Sequence, residues 1–552
     1  MLKYLGPVAG VLISLSVRDA VAQREGVKLV EPPPGTLAAV DAATFEAHLR
    51  FLADDLLEGR AVGTRGAELA ARYVATQFAA AGLRPAWPEG YLRRVPLIAA
   101  TTDASLVVGA GRRTIVLQSG TDFVAWPTQP DSAVVLDADL VFGGYGIEAP
   151  EWRWRDFEAA AVSGKVLLVR PGEPGGADSA LFRGRAATRY GRWAYKIEQA
   201  ARAGAAGVLL IHSADAPPGP WNAVRASWQR ETLQPERASL QGLRFAAWIS
   251  ADAARRLVEA TGKDYDVLMR RAEGPGFSAI DLGARAAVDM RTRLRSLSSP
   301  NVVGVLEGSG VPSTDGAIVL VGHYDHLGIG PSVDGDSIYN GAVDNASGVA
   351  ALLTLARALA ASPRPPRRTV VFAATTASEH GMTGAAALAA APPPASGPIV
   401  AAFGVHEMNV WGVTRDIAVL GAELSTLGDV MREAARLEQL ESVADPSPEI
   451  GSLYDGDQLP FAVAGIPIVA LKTGGRAESG GTGISELVAR YRAEHRHQPS
   501  DQLFEGMSPA GAVVQMRVLL RAVWHSAAEQ GSPTWLPGAE FGTVAGTSGP
   551  RR

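Results

Sequence analysis

The chain has 552 residues, of which 47% are hydrophobic and 20% charged, and its formal net charge is −5. This is the composition of a globular protein with room for several domains, and it lacks the basic excess typical of nucleic-acid-binding proteins. The chain contains no cysteine, which excludes disulfides and thiolate ligands. Any metal ligands must therefore be His, Asp or Glu.

The first residues have the pattern of an export signal. Lys3 supplies a positive charge, residues 5–17 are apolar but too short to span a bilayer, and Ala20-Val21-Ala22 gives a small-x-small cleavage pattern. We expect a cleaved signal peptide over residues 1–22 and a periplasmic or secreted mature protein; the alternative is an uncleaved N-terminal anchor. No later stretch has 18 uninterrupted apolar residues, so we expect no stable membrane span after cleavage.

The pattern of apolar residues changes twice along the chain. Helical periodicity covers residues 41–81, with a glycine-rich break at 59–66. Short strands and turns are expected from about 100 to 290, with strands at 133–136, 164–169 and 207–211 and a short helix at 195–203. From residue 301 onward, expected strands alternate with helices such as 346–359; the strands are 317–321, 369–374, 399–405, 417–420 and 468–471. This alternation predicts an α/β fold with a mixed, mostly parallel sheet flanked by helices. The tail after residue 531 is expected to be loose.

Side chains that bind metals follow several of these strands. Six of the nine histidines lie between His323 and His497, and sites in open α/β sheets form at the carboxyl ends of strands. Singly, His323 is compatible with a surface loop and Asp344 with a helix N-cap. Together the candidates form a set of N and O donors that suits zinc or, less specifically, other divalent ions. The set is His323, Asp344, Glu379, His406 and His497.

Three motifs carry a resemblance to a known family. They are Gly322-His323-Tyr324-Asp325-His326-Leu327-Gly328, the segment from Tyr339 to Ala350, and His497-Gln498-Pro499-Ser500-Asp501. With these motifs the chain resembles the co-catalytic zinc aminopeptidases, a family that includes bacterial leucyl aminopeptidases, glutamate carboxypeptidase and the non-enzymatic transferrin receptor. Residues 51–60 and 63–66 resemble the opening segment of this family, and residues 164–170 and 200–208 resemble its inserted protease-associated (PA) domain.

The resemblance implies a domain organisation. The expected parts are a signal peptide (1–22), an N-terminal part of the peptidase-like domain (23–125), an inserted, mainly-β PA-like domain (126–295), the main part of the peptidase-like domain (296–530) and a flexible tail (531–552).

The resemblance also implies roles for individual residues. His323 would bind one zinc ion, Asp344 would bridge two, and Glu379 and His497 would bind the other, with Asp325 supporting His323. The chain would bind one or two zinc ions and act as a metallo-exopeptidase of the aminopeptidase type. Its partner would be a peptide or aminoacyl substrate.

The chain departs from the family pattern at three positions. Ser378 stands where the family has the glutamate that acts as general base, and His406 aligns with the family's aspartate ligand. Gly456-Asp457-Gln458 replaces the Ser-Asp-His of close relatives. A serine hydroxyl does not accept a proton at neutral pH without help.

Three interpretations of Ser378 follow. The chain is a metal-binding or peptide-binding pseudoenzyme; or another group, His380 or Glu407, acts as the base; or the register shifts by one residue, so that Glu379 is the base and His380 a ligand. The position of Gly381 argues against the shift.

Overall fold

A computed structural model describes residues 27–176, 178, 181–213, 221–228, 231–236, 240, 242–478, 480 and 483–542. The expected signal peptide lies outside these residues, as does the end of the expected tail. Within the described ranges, no helix is both long enough and apolar enough to traverse a bilayer.

Three helices precede the first strands. The elements are α1 (Pro34–Ala38), α2 (Ala42–Leu52), α3 (Arg65–Ala80), β1 (Arg84–Pro85) and β2 (Leu92–Ala110). Asp41 caps α2 by accepting from the backbone N–H of Thr44 at 2.8 Å. The predicted break before α3 needs glycine at Gly66, because a Cβ there would lie 1.7 Å from the backbone oxygen of Leu57.

The middle of the chain alternates between strands and short helices. Its elements are β3 (Arg113–Leu117), β4 (Phe123–Pro127), β5 (Ala133–Phe142), β6 (Glu148–Ala149), β7 (Trp154–Arg155), α4 (Ala159–Val162), β8 (Val166–Val169), α5 (Trp193–Arg202), β9 (Gly207–Ile211), α6 (Trp221–Trp228), β10 (Thr232–Pro235), β11 (Phe245–Ile249), α7 (Ala251–Ala260), α8 (Tyr265–Arg271) and β12 (Ile280–Leu306). Strands β5, β8, β9 and β11 are parallel to one another. Whether this part is a PA domain stays a prediction.

The last part of the chain has the predicted alternation of strands and helices. Its elements are α9 (Pro312–Asp315), β13 (Ala317–His323), β14 (Gly328–Val333), β15 (Asp336–Tyr339), α10 (Gly348–Ala360), β16 (Thr369–Thr375), α11 (Thr383–Ala390), β17 (Ile399–Gly404), β18 (Asp416–Leu420), α12 (Leu427–Leu437), β19 (Glu441–Val443), α13 (Leu459–Val463), β20 (Ile468–Thr473), α14 (Gly483–Arg490) and α15 (Ala510–Ala528).

Among the described residues, one 16-stranded sheet runs from β1 to β20, and its order through the last part is β19-β18-β20-β17-β13-β16-β12. Strands β20, β17, β13 and β16 are parallel, whereas β18 and β12 are antiparallel to their neighbours β20 and β16. Alternate residues of β13 enter two different cores: Ile318 and Leu320 pack with α2, α3, α10, α12 and α15, and Val319 and Val321 pack with α11 and α13. The predicted mixed, mostly parallel sheet with helices on both faces is confirmed.

The expectation of only short strands between residues 100 and 290 is wrong. Strand β2 has 19 residues and β12 has 27. The two pair antiparallel from Leu92 opposite Val302 to Gly109 opposite Arg285. From residue 282 to 291, buried residues of β12 alternate with exposed ones. This period-2 pattern is typical of a sheet with one face in the core and the other exposed to solvent. Strand β12 is continuous across residues 295 and 296, where the domain boundary was expected.

Candidate metal centre

His323 is the last residue of β13, and its side chain is buried. Its Nδ1 lies 3.1 Å from the backbone oxygen of Asp325. A carbonyl oxygen can only accept, so Nδ1 carries a proton and Nε2 is the nitrogen that faces the centre. Nε2 faces Asp344, whose Oδ1 is 3.5 Å away. Asp325 thus orients His323 through its backbone, while its carboxylate accepts from the backbone N–H of Ser378 at 3.1 Å.

Asp344 lies in the turn at residues 342–347, before α10. The helix begins only at Gly348, so Asp344 does not act as its N-cap. The turn is held by Asp501, whose carboxylate accepts from the backbone N–H of Val343 at 2.9 Å and from that of Asp344 at 3.2 Å. Tyr491 donates its hydroxyl proton to the same carboxylate at 2.9 Å. Asp501, from the third motif, therefore positions the Asp344 carboxylate.

Glu379 and His497 complete this side of the centre. Glu379 follows β16, and its Oε1 accepts from Nδ1 of His326 at 3.0 Å. Nε2 of His497 lies 3.0 Å from Asp344 Oδ2 and 3.5 Å from Glu379 Oε2. Ligand atoms of His323, Asp344 and Glu379 all lie within 4.8 Å of one another. Four of the five predicted ligands thus meet at the carboxyl ends of parallel strands.

His406, the fifth predicted ligand, lies on the other side of His323. Its ring nitrogen forms a second group with His323 and Asp457, again with all ligand atoms within 4.8 Å. Nε2 of His406 lies 3.1 Å from Oε1 of Gln458, whose Nε2 donates to the backbone oxygen of Leu453 at 2.8 Å. The carboxamide of Gln458 is thereby fixed with its oxygen toward His406.

Ser378, at the expected base position, points at a carboxylate. Its Oγ donates to Asp457 Oδ2 at 3.2 Å. The alternative base Glu407 is held by two guanidinium groups, since its Oε1 accepts from Arg496 Nε at 2.9 Å and its Oε2 from Arg492 at 2.8 Å. Arg496 also places Nη2 3.1 Å from Asp344 Oδ2. His380, the other alternative, is adjacent to Glu379 in the chain, and burial lowers its pKa.

The charges of the centre are unequal. Burial would raise the pKa of Asp344, but Arg496, His323 and His497 hold it well below its usual range. By contrast, burial raises the pKa of Asp325 to about 7, and it does the same for Asp501. Negative charge is therefore concentrated on Asp344 and its neighbour Glu379, where a cation would be bound.

One buried atom near the centre supports a metal site. Oδ1 of Asp457 has no hydrogen-bond partner among the described residues, and a buried polar atom without a partner is costly. Imidazole nitrogens and carboxylate oxygens are the ligands that zinc takes when thiolates are absent. The donor set therefore fits zinc.

The sequence predictions did not count His326 and Asp457 as members of the centre. His326 lies in the first motif, directly after Asp325, and a second histidine in that motif was a usable signal. Asp457 lies in the loop before α13, far in sequence from His323. Only the packing of that loop over the sheet brings it to the centre.

Comparisons with known proteins agree with the predicted resemblance. Residues 301–522 match the sequence profile of Peptidase family M28. Among curated proteins, none matches the chain.

Several solved structures are similar to this chain. An aminopeptidase from Aneurinibacillus sp. strain AM-1 has 18% identity and a TM-score of 0.49, covering 90% of this chain and 96% of that one. A zinc aminopeptidase from Bacillus subtilis has 17% identity and a TM-score of 0.43, covering 91% and 97%. A peptidase M28 precursor from Shewanella amazonensis SB2B has 16% identity and a TM-score of 0.41, covering 91% and 97%.

The profile match spans all three motifs and every residue of the metal centre described above. Residues 301–522 of this chain are therefore a domain of Peptidase family M28.

Proposed function

We propose that this chain is an exported, zinc-dependent hydrolase of peptide or aminoacyl amide bonds whose activity is reduced because Ser378 occupies the position of the general base. The observation that carries the proposal is the meeting of His323, Asp344 and Glu379 within 4.8 Å, with His497 in contact with both carboxylates. Export rests on the N-terminal sequence pattern alone.

Each residue of the centre has a part in this function. Asp344, Glu379 and His497 would hold a zinc ion, with Asp344 shared toward His323. Bound zinc supplies Lewis acidity toward the carbonyl oxygen of a substrate. His326 fixes Glu379 by donating to its Oε1 at 3.0 Å, and Asp501 fixes the turn that carries Asp344. Both arrangements orient ligands before substrate arrives.

Ser378 limits the reaction at the proton-transfer step. Its hydroxyl already donates to Asp457, and a neutral hydroxyl does not take a proton from an attacking water. The loss of a general base costs about 10²–10⁴-fold in rate. We therefore expect slow hydrolysis of aminoacyl amides by the zinc-loaded protein.

The test is the variant Ser378→Glu, which restores a carboxylate at the base position. We expect kcat to rise by about 10²-fold with a panel of aminoacyl amides, because a positioned base contributes at least that much. Zinc content should stay the same, as measured by mass spectrometry of the metal. Ser378→Gln is the matched control, since it has the same length without the basic carboxylate, and it should leave kcat low.

Equal kcat values for Ser378→Glu and Ser378→Gln, both loaded with zinc, would show that the missing base is not at position 378.

The second candidate function is a metal-binding or peptide-binding protein without hydrolase activity. Ser378 favours this function. The pairing of Glu407 with two arginines also favours it, because both carboxylate oxygens of this alternative base already accept hydrogen bonds. This function would be supported if zinc binds while neither variant nor wild type hydrolyses any substrate of the panel.

A further inference from the structure

We propose that His323, His406 and Asp457 hold a second divalent cation, with Asp457 as the carboxylate ligand. This inference rests on the proposed function, because His323 also borders the group formed with Asp344 and Glu379. It assigns to Asp457 the ligand role that the family resemblance places at position 406, where this chain has a histidine.

The three side chains are close enough to become ligands of one ion. Their ligand atoms lie within 4.8 Å of one another. In a tetrahedral zinc site with bonds of about 2.1 Å, ligand atoms are separated by roughly 3.4 Å. Closing the remaining distance needs shifts of only about 1 Å in the side chains, since the ends of β13 and β17 and the loop of Asp457 are already adjacent.

Asp457 is a buried carboxylate with no lysine or arginine ion pair among the described residues. Its exposed fraction is 0%, its Oδ2 accepts only the neutral hydroxyl of Ser378, and its Oδ1 has no hydrogen-bond partner in the described part of the chain. A buried carboxylate in such surroundings is unfavourable unless a cation pairs with it. The unpartnered Oδ1 therefore marks the position where a cation would be bound.

His406 is prepared for a metal by its contact with Gln458. Metal-binding histidines typically donate one ring N–H to an oxygen that fixes the plane of the ring. Oε1 of Gln458 is such an oxygen, 3.1 Å from His406 Nε2, and it is itself oriented because Gln458 donates to Leu453. The contact leaves Nδ1 of His406 as the nitrogen for a cation, and the long 3.4 Å contact of Nδ1 with Nδ2 of Asn345 is the one that a cation would replace.

The charge balance supports Asp457 as the third ligand. Replacement of an aspartate by His406 removes one negative charge from the centre, and two neutral imidazoles alone would leave a dication uncompensated. Asp457 supplies one negative charge beside the two rings. The loss of the carboxylate at 406 and the use of the one at 457 thus leave the net charge of the ligand set unchanged.

The test counts bound metal rather than turnover. The full chain is stripped of metal with a chelator and titrated with Zn²⁺ by calorimetry, and its Co²⁺ form is recorded by visible absorption. We expect two zinc equivalents for the wild type and one for Asp457→Asn. Affinity at the lost position should fall by more than the roughly 10–100-fold cost of removing an outer-shell partner. Glu379→Gln should weaken the other equivalent instead.

Glu449→Gln is the matched control. Glu449 lies eight residues earlier with 49% of its side chain exposed and pairs with Arg185 at 3.5 Å, and its removal should leave both equivalents intact. The variant His406→Asp distinguishes loss of a ligand from misfolding, because it places a carboxylate at the family position. In the double variant His406→Asp, Asp457→Asn, the protein should again bind two zinc equivalents.

The outcomes separate the two proposals. Two equivalents of unchanged affinity in Asp457→Asn would overturn this inference and leave the proposed function standing. The inference would also be overturned, and the proposed function kept, if the wild type bound only one zinc equivalent and that equivalent were lost in Glu379→Gln but kept in Asp457→Asn. Failure of the wild type to bind any Zn²⁺ would overturn both.

Discussion

Gln458 shows how a single residue determines what its neighbours can do. Its carboxamide joins the Leu453 backbone to the His406 ring, and the residue is almost fully buried. The replacement of a family histidine by Gln458 and of a family aspartate by His406 are therefore two changes in direct contact. A glutamine can turn its oxygen toward a ring N–H, which makes histidine acceptable at position 406.

Replacement of Gln458 by methionine tests this contact. Gln458→Met keeps the length of the side chain but removes its acceptor, so His406 loses the group that fixes its ring. We expect affinity for the second zinc equivalent to fall by about 10–100-fold, measured by calorimetric titration. Gln199→Met is the control, because Gln199 is also buried and donates to Glu148 at 2.9 Å in the middle part of the chain. Equal losses in the two variants would contradict a specific role for Gln458.

The sequence allowed prediction of the ligands that follow strands, but not of Asp457. His323, Glu379 and His406 lie directly after contiguous apolar runs, and the carboxyl ends of parallel strands meet at one edge of a sheet. Asp457 has no such local signal, since it precedes the short helix α13. Its place depends on tertiary packing, including the bond between Gln458 and Leu453. Arg496 was likewise adjacent to a predicted ligand, yet nothing in its surroundings in sequence indicated contact with Asp344.

Among the elements, the segment between α2 and α3 supports the metal centre through hydrogen bonds to the segments around Tyr324 and Asn340. Arg60 is buried there. Its guanidinium donates to the backbone oxygens of Tyr324 at 2.8 Å, Asn340 at 2.7 Å and Gly341 at 3.1 Å, and also to that of Leu52. Two of the three family motifs are thus joined to the N-terminal segment by one side chain. Burial lowers the pKa of Arg60 to about 10, so it stays charged at neutral pH.

Removal of the Arg60 guanidinium should loosen this arrangement. In Arg60→Met, several buried carbonyl groups lose their donor, and each unsatisfied group costs about 1–3 kcal/mol. We expect the free energy of unfolding to fall by at least about 3 kcal/mol, measured by urea denaturation, with weaker zinc binding. Arg50→Met is the control: Arg50 is exposed and pairs only with Glu46 on the same helix, and its replacement should change stability little. Similar unfolding curves for both variants would contradict the role of Arg60.

The strands differed in how well the sequence indicated them. Strands β13, β16 and β20 are buried on both faces and consist of contiguous apolar residues, so they could be predicted. Strand β12 alternates buried Ala286, Val288 and Met290 with exposed residues that include Arg285 and Asp289. The alternation of apolar and polar residues in β12 was present in the sequence, but the charged residues interrupt the contiguous apolar runs by which the other strands were recognised.

At the scale of the whole molecule, the middle part docks on the last part through residues 181–192. Arg183 pairs with Glu423, and the backbone N–H of Ala187 donates to Pro448 at 2.9 Å. The buried carboxylate of Glu540 accepts from the backbone N–H of Arg189 at 3.0 Å and from the hydroxyl of Tyr454. Tyr454 adjoins Leu453, the residue that holds Gln458, so this docking surface leads directly to the loop of Asp457.

The variant Tyr454→Phe should destabilise the protein in a pH-dependent way. Burial raises the pKa of Glu540, while the Tyr454 hydroxyl opposes that rise. When the pKa of a carboxyl is higher in the folded than in the unfolded protein, the free energy of unfolding decreases as pH rises from the unfolded pKa toward the folded one. Removal of the Tyr454 hydroxyl raises the folded pKa of Glu540 further, so this decrease extends to higher pH. We expect the drop in melting temperature relative to wild type to be larger at pH 8 than at pH 4.

Tyr91→Phe is the control for this pH dependence. Its hydroxyl donates to the backbone oxygen of Leu83 at 2.6 Å, an acceptor that does not titrate, so its effect should be the same at both pH values. A drop for Tyr454→Phe that is equal at pH 4 and pH 8 would show that Glu540 does not ionise in the folded protein.

The continuity of β12 has a mechanical consequence. The 27 residues of β12 extend for up to roughly 90 Å at about 3.3 Å per residue, with one irregularity in pairing between Asp281 and Ala284, and this one strand belongs to both the middle and the last part of the chain. A part of a protein that is joined by a flexible linker can rotate about that linker. The middle part shares β12 with the last part, so it can move relative to the metal centre only if this strand bends or twists.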